Sequence, residues 1–394
     1  MRFVREIFDE IHGFIDLTEL EAKIIQNCAF SRLHRVHQLG PAYIVYASAT
    51  HTRFAHSIGT LRIADRLYTA AVEDQSDDER QLVRLAGLLH DIGHLPFSHA
   101  LSSEHETLGI RVLKNYFENE LSGYLEALTR ILMREDRLSV IISGEVDADR
   151  MDYLLRDSHH LGLPYRGVDL ERVIRHARLA RYERRWVLAF TTGAEVAVES
   201  LILTRLELFR RVYHHKHVTG LEALLSKIYN VMLQENLIPT PLEIIENGDW
   251  CGFDDCFLIE TLKTLAKREN WLGEASKAFL RGEIPVMVAE LFIPLNTVEE
   301  VVNNIREAAA CRVPEEWILP YLPKLVPIKD PDNLLIVKDN ALYKLPEAQE
   351  SLLHLVKSFK ISPLRIYTKS EFVAKLRECL NDVLRTLNPE SSGI

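Results

Sequence analysis

Four histidines stand close together between Leu85 and Glu106, in the stretch LAGLLHDIGHLPFSHALSSEHE. They are His90, His94, His99 and His105. Imidazole titrates near neutral pH and is the commonest metal ligand in proteins. Adjacent residues lie about 100° apart on a helix, so one cation beyond the helix end could meet both His90 and Asp91. The stretch therefore indicates metal binding, acid–base chemistry or both.

Two other interpretations of this stretch stay open. Hydrogen-bonded core histidines are one, although four in a single stretch make this the weaker choice. The other is the H-E-x-x-H helix of zinc proteases, with Asp91 as the general base. That motif lies inside a regular helix, which Gly93 and Pro96 disfavour, and no third ligand follows at the usual spacing.

Two segments on either side of this stretch also place polar and charged side chains together. In HTRFAHSIG, Arg53 and His56 are i, i+3 neighbours, which sets a cation beside a candidate metal ligand. In DADRMDYLLRDSHH, Asp149, Tyr153 and Asp157 share one stripe of a predicted helix. A surface arginine and a solvated acidic face are the simpler explanations for each segment taken alone.

A third segment, TRLELFRRVYHHKH, places Arg205 and Tyr213 on one helix face with Lys216 nearby. These side chains could contact phosphate and a nucleobase, although a solvated basic helix is the more common meaning of such a pattern. The sequence contains no GxxxxGK[ST] phosphate loop and no GxSxG nucleophile elbow. Phosphate chemistry would therefore depend on metal and arginine.

The elements that must position these residues are mainly helices. Apolar periodicity predicts helices over 53–74, 81–93, 107–120, 124–136, 147–161 and, with a break near Gly220, 195–234. ARYERRWVLAFTTGA predicts a β-hairpin, and AYIVYAS a short strand. Beyond residue 235, LLIVKDNALYKL and PLRIYT predict strands, and EFVAKLRECLNDVL a helix. The expected fold class is mainly α: a helical domain over 1–234 with its core at about 50–165, and a smaller C-terminal α/β lobe over 235–394.

Composition narrows the possible partners. A net charge of −10 argues against general affinity for nucleic acid or anionic membranes. The N-terminus lacks the apolar run of a signal peptide, and no stretch is apolar for long enough to span a membrane. The five scattered cysteines are interpreted as reduced thiols, so a cytoplasmic protein is expected.

Taken in order, His56 in RFAHS, the His90–Asp91 doublet and Asp149 in VDADRMDY are similar to the H…HD…D signature of the HD superfamily of metal-dependent phosphohydrolases. The residues within and around these motifs are more similar to one branch of the superfamily, the deoxynucleoside triphosphate triphosphohydrolases. The segments that resemble it are QLG at 38–40, HTRFAHSIG, HDIGHLPFSH, DADRMDYLLRDSHHLG and RRVYHHK. The likeness covers about residues 1–225, and the C-terminal lobe matches only in its general α/β style.

The resemblance implies a helical HD-domain core and a metal site. The implied ligands of one divalent ion are His56, His90, Asp91 and Asp149. Two imidazoles and two carboxylates suit Mn, Fe, Ni, Zn or Mg, so ligand chemistry does not choose among them. A second Mg²⁺, carried by the substrate triphosphate, is compatible with the same resemblance.

The resemblance also implies a substrate, a dNTP, and the residues that would meet it. The implied catalytic group is Asp91, His94, His99 and His105, with His99 protonating the leaving 5′ oxygen. Phosphate would be bound by Arg53, Arg150, Arg205 and Lys216. The sugar and base would be read by Gln38, Leu39, Tyr153, Asp157 and Tyr213, with Gln38 and Leu39 crowding the 2′ position. Water would attack the α-phosphorus and release deoxynucleoside and inorganic triphosphate. Dimers or tetramers are expected.

Three positions depart from the vertebrate members of that branch. Ser102 replaces a carboxylate that orients the catalytic histidine, and Glu104 or Glu106 would have to substitute for it. Gln26 and His34 replace an Asp and an Arg of the activating-nucleotide pocket. Two alternatives therefore stand beside dNTP hydrolysis: an HD phosphohydrolase for another nucleotide phosphoester, and a nucleotide-binding regulator with little turnover.

Overall fold

The computed structural model describes residues 1–101, 104–163, 168–310, 312–323, 331–339, 341–348, 350–354 and 363–387. The chain divides into two compact units that alternate along the sequence. The first comprises Met1–Phe209, Thr240–Phe257 and Pro327–Phe359, and the second Arg210–Pro239, Leu258–Val326 and Lys360–Ile394. The domain boundary after residue 234 stays a prediction.

The first unit is mainly helical, as the periodicity predicts. Its α-helices are Glu19–Gln26, Cys28–Ser31, Arg53–Ala71, Asp77–Leu89, His105–Tyr116, Leu125–Leu132, Ser139–Ile142, Ala148–His160, Leu170–Arg175, Glu195–Leu208 and Pro241–Glu246. Short 3-10 helices cover Arg32–Arg35, Gly40–Ile44, Ser98–Ala100, Trp250–Gly252, Pro331–Asn333 and Leu345–Glu347. A helix over Asp255–Leu265 and a π-helical turn over Phe209–Tyr213 have residues in both units.

Three of these helices form the centre of the first unit. Arg53–Ala71 packs against both Asp77–Leu89 and Ala148–His160. Close approach to the third helix requires glycine at position 59, because a Cβ there would lie 1.9 Å from Asp152 Oδ1. The predicted helical core is thus confirmed, with helix ends that differ from the predicted ones by up to four residues.

Two sheets belong to the first unit. Phe3–Asp9 and Gly13–Thr18 form an antiparallel hairpin at the N-terminus. The other sheet has four strands in the order Ala177–Tyr182, Arg185–Thr191, Leu335–Lys338 and Ala341–Lys344. Its outer pairs are antiparallel, and its central pair is parallel, with Phe190 opposite Ile336. The predicted hairpin and the strands of LLIVKDNALYKL are confirmed, but they share one sheet.

The second unit has the expected α/β character. Its helices include Lys216–Gln234, Trp271–Leu280, Val298–Ala309 and Val373–Leu387. Its antiparallel sheet has the order Val286–Leu291, Leu364–Thr368 and Leu319–Tyr321. Short 3-10 turns cover Leu295–Thr297, Glu315–Trp317 and Ser370–Phe372. No helix in the described part of the chain is both long and apolar enough to cross a lipid bilayer.

Two local predictions are wrong. AYIVYAS forms no strand: the chain turns at Gly40, whose φ is +51°, and continues as a 3-10 helix. Pro41 fits the first turn of such a helix because it has no N–H to donate. The long helical segment is interrupted by the π-turn and restarts at Lys216 with His215 as its N-cap, and Gly220 lies inside the second helix.

The expectation that all cysteines are reduced is also wrong. Cys28 and Cys251 form a disulfide bond, while Cys256 and Cys379 do not. The helix Cys28–Ser31 packs against the 3-10 turn at Trp250, which brings the two Cα atoms to 5.3 Å. Residues 223 positions apart give no sign of this pairing in the sequence.

Closing so long a loop stabilises a fold by about 2–4 kcal/mol in the chain-entropy account. We expect an alkylating reagent, applied to denatured protein without reductant, to label Cys256 and Cys379 but neither Cys28 nor Cys251. Peptide mass spectrometry before and after reduction measures this. Labelling of Cys28 and Cys251 in aerobically purified, unreduced protein would contradict the bond.

Candidate active site

The four predicted metal ligands come from three helices or their ends: Arg53–Ala71, Asp77–Leu89 and Ala148–His160. His56 lies in the first turns of the first helix. His90 caps the C-terminal end of the second and Asp91 follows it. Asp149 lies in the first turn of the third helix. All but Asp149 are largely buried; its side chain is 35% exposed.

Their donor atoms converge. His56 Nε2 lies 3.1 Å from Asp149 Oδ1 and 3.5 Å from Asp91 Oδ2. His90 Nε2 lies 3.7 Å from the same Asp149 oxygen and 3.3 Å from Asp91 Oδ1. One donor atom each from His56, His90 and Asp149 falls within 4.8 Å of the other two. The structure therefore brings all four predicted ligands together.

Hydrogen bonds at Nδ1 of His56 and of His90 orient both rings so that Nε2 faces the cluster of donor atoms. His56 Nδ1 is 2.7 Å from Asp152 Oδ2, and His90 Nδ1 is 2.9 Å from the carbonyl oxygen of Gly87. If Nδ1 carries the proton in each ring, Nε2 presents its lone pair to the cluster, as in metal-ligating histidines. Both Nε2 atoms are buried without a hydrogen-bond partner in the described part of the chain. This donor set fits a divalent cation.

Without a cation the cluster holds protons. Burial by itself would lower the pKa of His56, but Asp149 and Asp152 raise that pKa to about 10. Burial would raise the pKa of Asp149, whereas His56 and His90 hold it below its usual value. A cation that takes this position therefore has to displace a proton from the imidazoles.

Asp152 supports the site although its position in the sequence does not indicate this, because it lies off the Asp149 stripe. Its carboxylate is fully buried and accepts two hydrogen bonds of 2.9 Å from the Arg156 guanidinium. It also pairs with His12 Nε2 at 2.7 Å and with His56. Its i, i+4 spacing from Arg156 was the available signal. Asp147 is the N-cap of the same helix and accepts a hydrogen bond from the Arg150 backbone N–H.

The other three histidines form a second cluster. The rings of His94 and His105 stack with centroids 4.1 Å apart, and His99 stands edge-on to them at 4.7 and 5.2 Å. Gly93 permits this arrangement, because a Cβ there would lie 2.1 Å from the carbonyl oxygen of His105. Burial, and then the positive charge of Arg53, hold the pKa of His94 and of His99 well below the usual value. These imidazoles are therefore neutral.

Arg53 lies between the two clusters. Its guanidinium pairs with Asp91 and donates a 2.8 Å hydrogen bond to Ser98 Oγ. Asp91 Oδ1 also lies 3.2 Å from His94 Nε2. Asp91 thus belongs to both clusters, one carboxylate oxygen facing Arg53 and the other facing the imidazoles.

The residues predicted to read the sugar lie in the same unit. Asp157 is buried and shares a 2.7 Å hydrogen bond with His51, which the sequence argument had not assigned a role. The ring of Tyr153 lies 6.5 Å from that of His56. Gln38 is buried, and Leu39, which follows it, is partly buried. Their roles stay predictions.

The predicted phosphate residues on later helices are held by other groups. Arg150 and Arg205 both approach Glu145 Oε2, at 3.4 and 3.3 Å. A phosphate bound there would compete with this buried carboxylate. Tyr213 and Lys216 belong to the second compact unit, and their roles stay predictions.

The departures from the vertebrate pattern have these outcomes. Ser102 lies outside the described residues. The Glu106 carboxylate accepts a 2.7 Å hydrogen bond from the exposed Arg134. Gln26 is the last residue of its helix, and the His34 ring stacks on Phe54 at 3.5 Å.

Comparison with known proteins agrees with this geometry. The sequence model of the HD domain matches residues 53–157, which contain all four metal-site residues. The uncharacterized protein MJ1154 of Methanocaldococcus jannaschii is 31% identical, covering 98% of this chain and 83% of that protein. The chain belongs to the HD-domain phosphohydrolase superfamily. Membership implies a divalent metal ion.

A solved structure and a named human enzyme are also similar to this chain. A crystal structure of a hypothetical protein from Aquifex aeolicus superimposes with a TM-score of 0.76 at 28% identity, over 95% of this chain and 99% of that one. Human "Deoxynucleoside triphosphate triphosphohydrolase SAMHD1" is 28% identical over 54% of this chain. The match spans only 42% of the human protein and about half of Bacillus subtilis YwfO.

We expect Asp149→Ala to weaken divalent-metal binding by at least about 100-fold, since loss of an outer-shell partner alone typically costs 10–100-fold. Calorimetric titration of chelator-treated protein with Mn²⁺ measures this. Asp157→Asn, on the same helix but outside the donor cluster, is the control and should bind Mn²⁺ with nearly wild-type affinity. Equal affinities for Asp149→Ala and wild type would exclude Asp149 as a ligand.

Proposed function

We propose that this protein hydrolyses deoxynucleoside triphosphates to deoxynucleoside and inorganic triphosphate. The observation that carries the proposal is the pairing of two side-chain clusters in one site. One cluster is a set of side chains whose donor atoms fit a divalent cation, and the other is three neutral imidazoles. Arg53 lies between the two clusters. The similarity to proteins named as deoxynucleoside triphosphate triphosphohydrolases supports the choice of substrate.

The metal-donor cluster would prepare the nucleophile. A divalent ion held by His56, His90, Asp91 and Asp149 would polarise water and a phosphate oxygen. The protein's own part is to hold the four donors in place through Asp152 and the Gly87 carbonyl. Because that support is made before substrate binds, no reorganisation is needed at the time of reaction.

The imidazole cluster would receive the phosphates. Neutral imidazoles can donate N–H groups to phosphate oxygens, and Arg53 adds a fixed positive charge. Phosphate charge near His99 would raise the imidazole pKa from its low resting value, so that the ring could take up a proton and pass it to the 5′ oxygen. His94 and His105 would confine that ring by packing against it.

Sugar recognition would fall to Asp157, which lies on the same helix as Asp149, and to Gln38 and Leu39. Asp157, oriented by His51, would accept a hydrogen bond from the 3′-hydroxyl. Gln38 and Leu39 would crowd the 2′ position and so favour deoxyribose.

A homo-oligomer and a cytoplasmic location remain part of the same proposal; sedimentation equilibrium tests the oligomer.

The products decide between this function and its alternatives. Metal-loaded protein incubated with each of the four dNTPs should release deoxynucleoside and intact triphosphate, resolved by ion-exchange chromatography and ³¹P NMR. The matching NTPs should react more slowly. Orthophosphate or pyrophosphate as the only inorganic product would indicate a different phosphoester activity. Binding without turnover across Mn, Fe, Ni, Zn and Mg would indicate a regulator.

His99→Ala should retain metal but lose turnover by about 100- to 10,000-fold, the usual contribution of a positioned acid. Steady-state kcat with metal content measured on the same samples tests this. His159→Ala, an exposed histidine outside both clusters, is the control and should keep wild-type kcat. An unchanged kcat in His99→Ala would remove His99 from the acid role.

A further inference from the structure

The buried carboxylate of Asp255 joins two segments that are distant from it in sequence. The first is the turn at Phe97 and Ser98, and the second begins at His37. Asp255 is 4% exposed and stands at the first position of its helix, roughly a hundred residues beyond the segment that matches the HD domain. Its Oδ1 accepts a 2.6 Å hydrogen bond from the backbone N–H of Phe97. Its Oδ2 accepts a 3.0 Å bond from the backbone N–H of His37 and lies 2.7 Å from His37 Nδ1.

The first segment needs outside support. Phe97 and Ser98 both have left-handed backbones, with φ of 55° and 56°, immediately before His99. Side chains disfavour that conformation, and two such residues in succession persist only when the surroundings over-determine them. Asp255 holds one side of the turn. Ser98 Oγ holds the other by donating to the His37 carbonyl oxygen at 2.6 Å.

The second segment leads directly into the residues predicted to exclude a 2′-hydroxyl. His37 precedes Gln38 and Leu39, and its backbone is fixed from both ends: N–H to Asp255 and carbonyl to Ser98. Any shift of the His37 backbone would therefore move both the sugar-reading segment and the turn that carries His99. Only a carboxylate offers acceptors on both oxygens for these donors.

The part of the chain that carries Asp255 is itself anchored to the same region. Cys251 is bonded to Cys28, and the buried Arg32 guanidinium contacts the Phe253 carbonyl while donating a 2.6 Å hydrogen bond to the carbonyl oxygen of His94. The carboxylate is thus presented from a fixed support and not from a free loop.

We propose that Asp255 is a positioning residue that sets the geometry of the His99 turn and the 37–39 segment together, and thereby controls both turnover and discrimination against ribonucleotides. This inference rests on the proposed function for its substrate. Asp255 hydrogen-bonds to His37 and Phe97, and to none of the metal donors or of His94, His99 and His105. It acts through the Phe97 and His37 backbones.

The test compares two adjacent, equally buried aspartates. In Asp255→Asn the amide oxygen can still serve Phe97 N–H, but the NH₂ group faces the His37 N–H and cannot accept from it. Asp254→Asn is the matched control: Asp254 is 3% exposed, pairs with Arg35, and accepts from Phe257 N–H, a capping role that Asn also fills. Neither of its partners belongs to the 94–99 turn.

We expect Asp255→Asn to lower kcat for dNTPs about 10- to 100-fold, the order of loss that a misplacement near 1 Å causes. The ratio of kcat/KM for each dNTP to that for the matching NTP should fall at least about 5-fold, with Mn²⁺ affinity unchanged. Asp254→Asn should stay within about 2-fold of wild type in all three quantities. Circular dichroism and thermal melts establish the folded fraction, to which kcat is normalised.

Two results would overturn the proposal. One is equal kcat and equal dNTP/NTP ratio in the two variants; the other is an Asp255→Asn variant that loses only thermal stability. Ser98→Ala, which removes the other bond to the His37 backbone, should reproduce the loss of sugar discrimination if Asp255→Asn does not fold. A wild-type protein without turnover would refute the proposed function instead. In that case calorimetric Kd ratios for dNTP and NTP, measured on the same variants, decide the role of Asp255.

Discussion

The buried carboxylate of Asp152 is the constraint on which the rest of the site depends. It binds the Arg156 guanidinium through two hydrogen bonds, pairs with His12 from the N-terminal hairpin, and orients the imidazole of His56. Removing one partner from so buried a pair leaves an uncompensated charge, which costs about 3–5 kcal/mol. Because these partners come from three separate elements, the same carboxylate that holds the fold also sets the tautomer of a metal ligand.

The site built around this carboxylate is divided by charge. On one side, acidic side chains surround His56 and His90 and raise the pKa of both imidazoles. On the other, desolvation and then the positive charge of Arg53 lower the pKa of His94 and of His99. His90 and its neighbours His94 and His99, within a single stretch of chain, thus acquire opposite electrostatic characters from the groups around them. That separation suits a reaction that needs both a bound cation and neutral donors toward phosphate.

Segments far apart in sequence complete the first unit. The strand Leu335–Lys338 pairs in parallel with the hairpin strand Arg185–Thr191, and Asp255 and Arg32 brace the turn beside His99. The HD-domain match ends at residue 157, so part of the support for the site lies outside it. The disulfide between Cys28 and Cys251 belongs to the same set of long-range connections.

The sequence by itself determined the helical core, the hairpin and the residues that could form a metal site, because periodicity and side-chain chemistry are local properties. His56, His90, Asp91 and Asp149 could be chosen because their types and order resemble the signature of the HD superfamily. Only the tertiary structure decided how they are supported. Asp152, Glu145 and Asp255 looked like ordinary acidic residues, and their roles arise from partners 96, 60 and 158 positions away. Long-range pairing of buried charge leaves no period in the sequence, since it depends on which helix faces meet after folding.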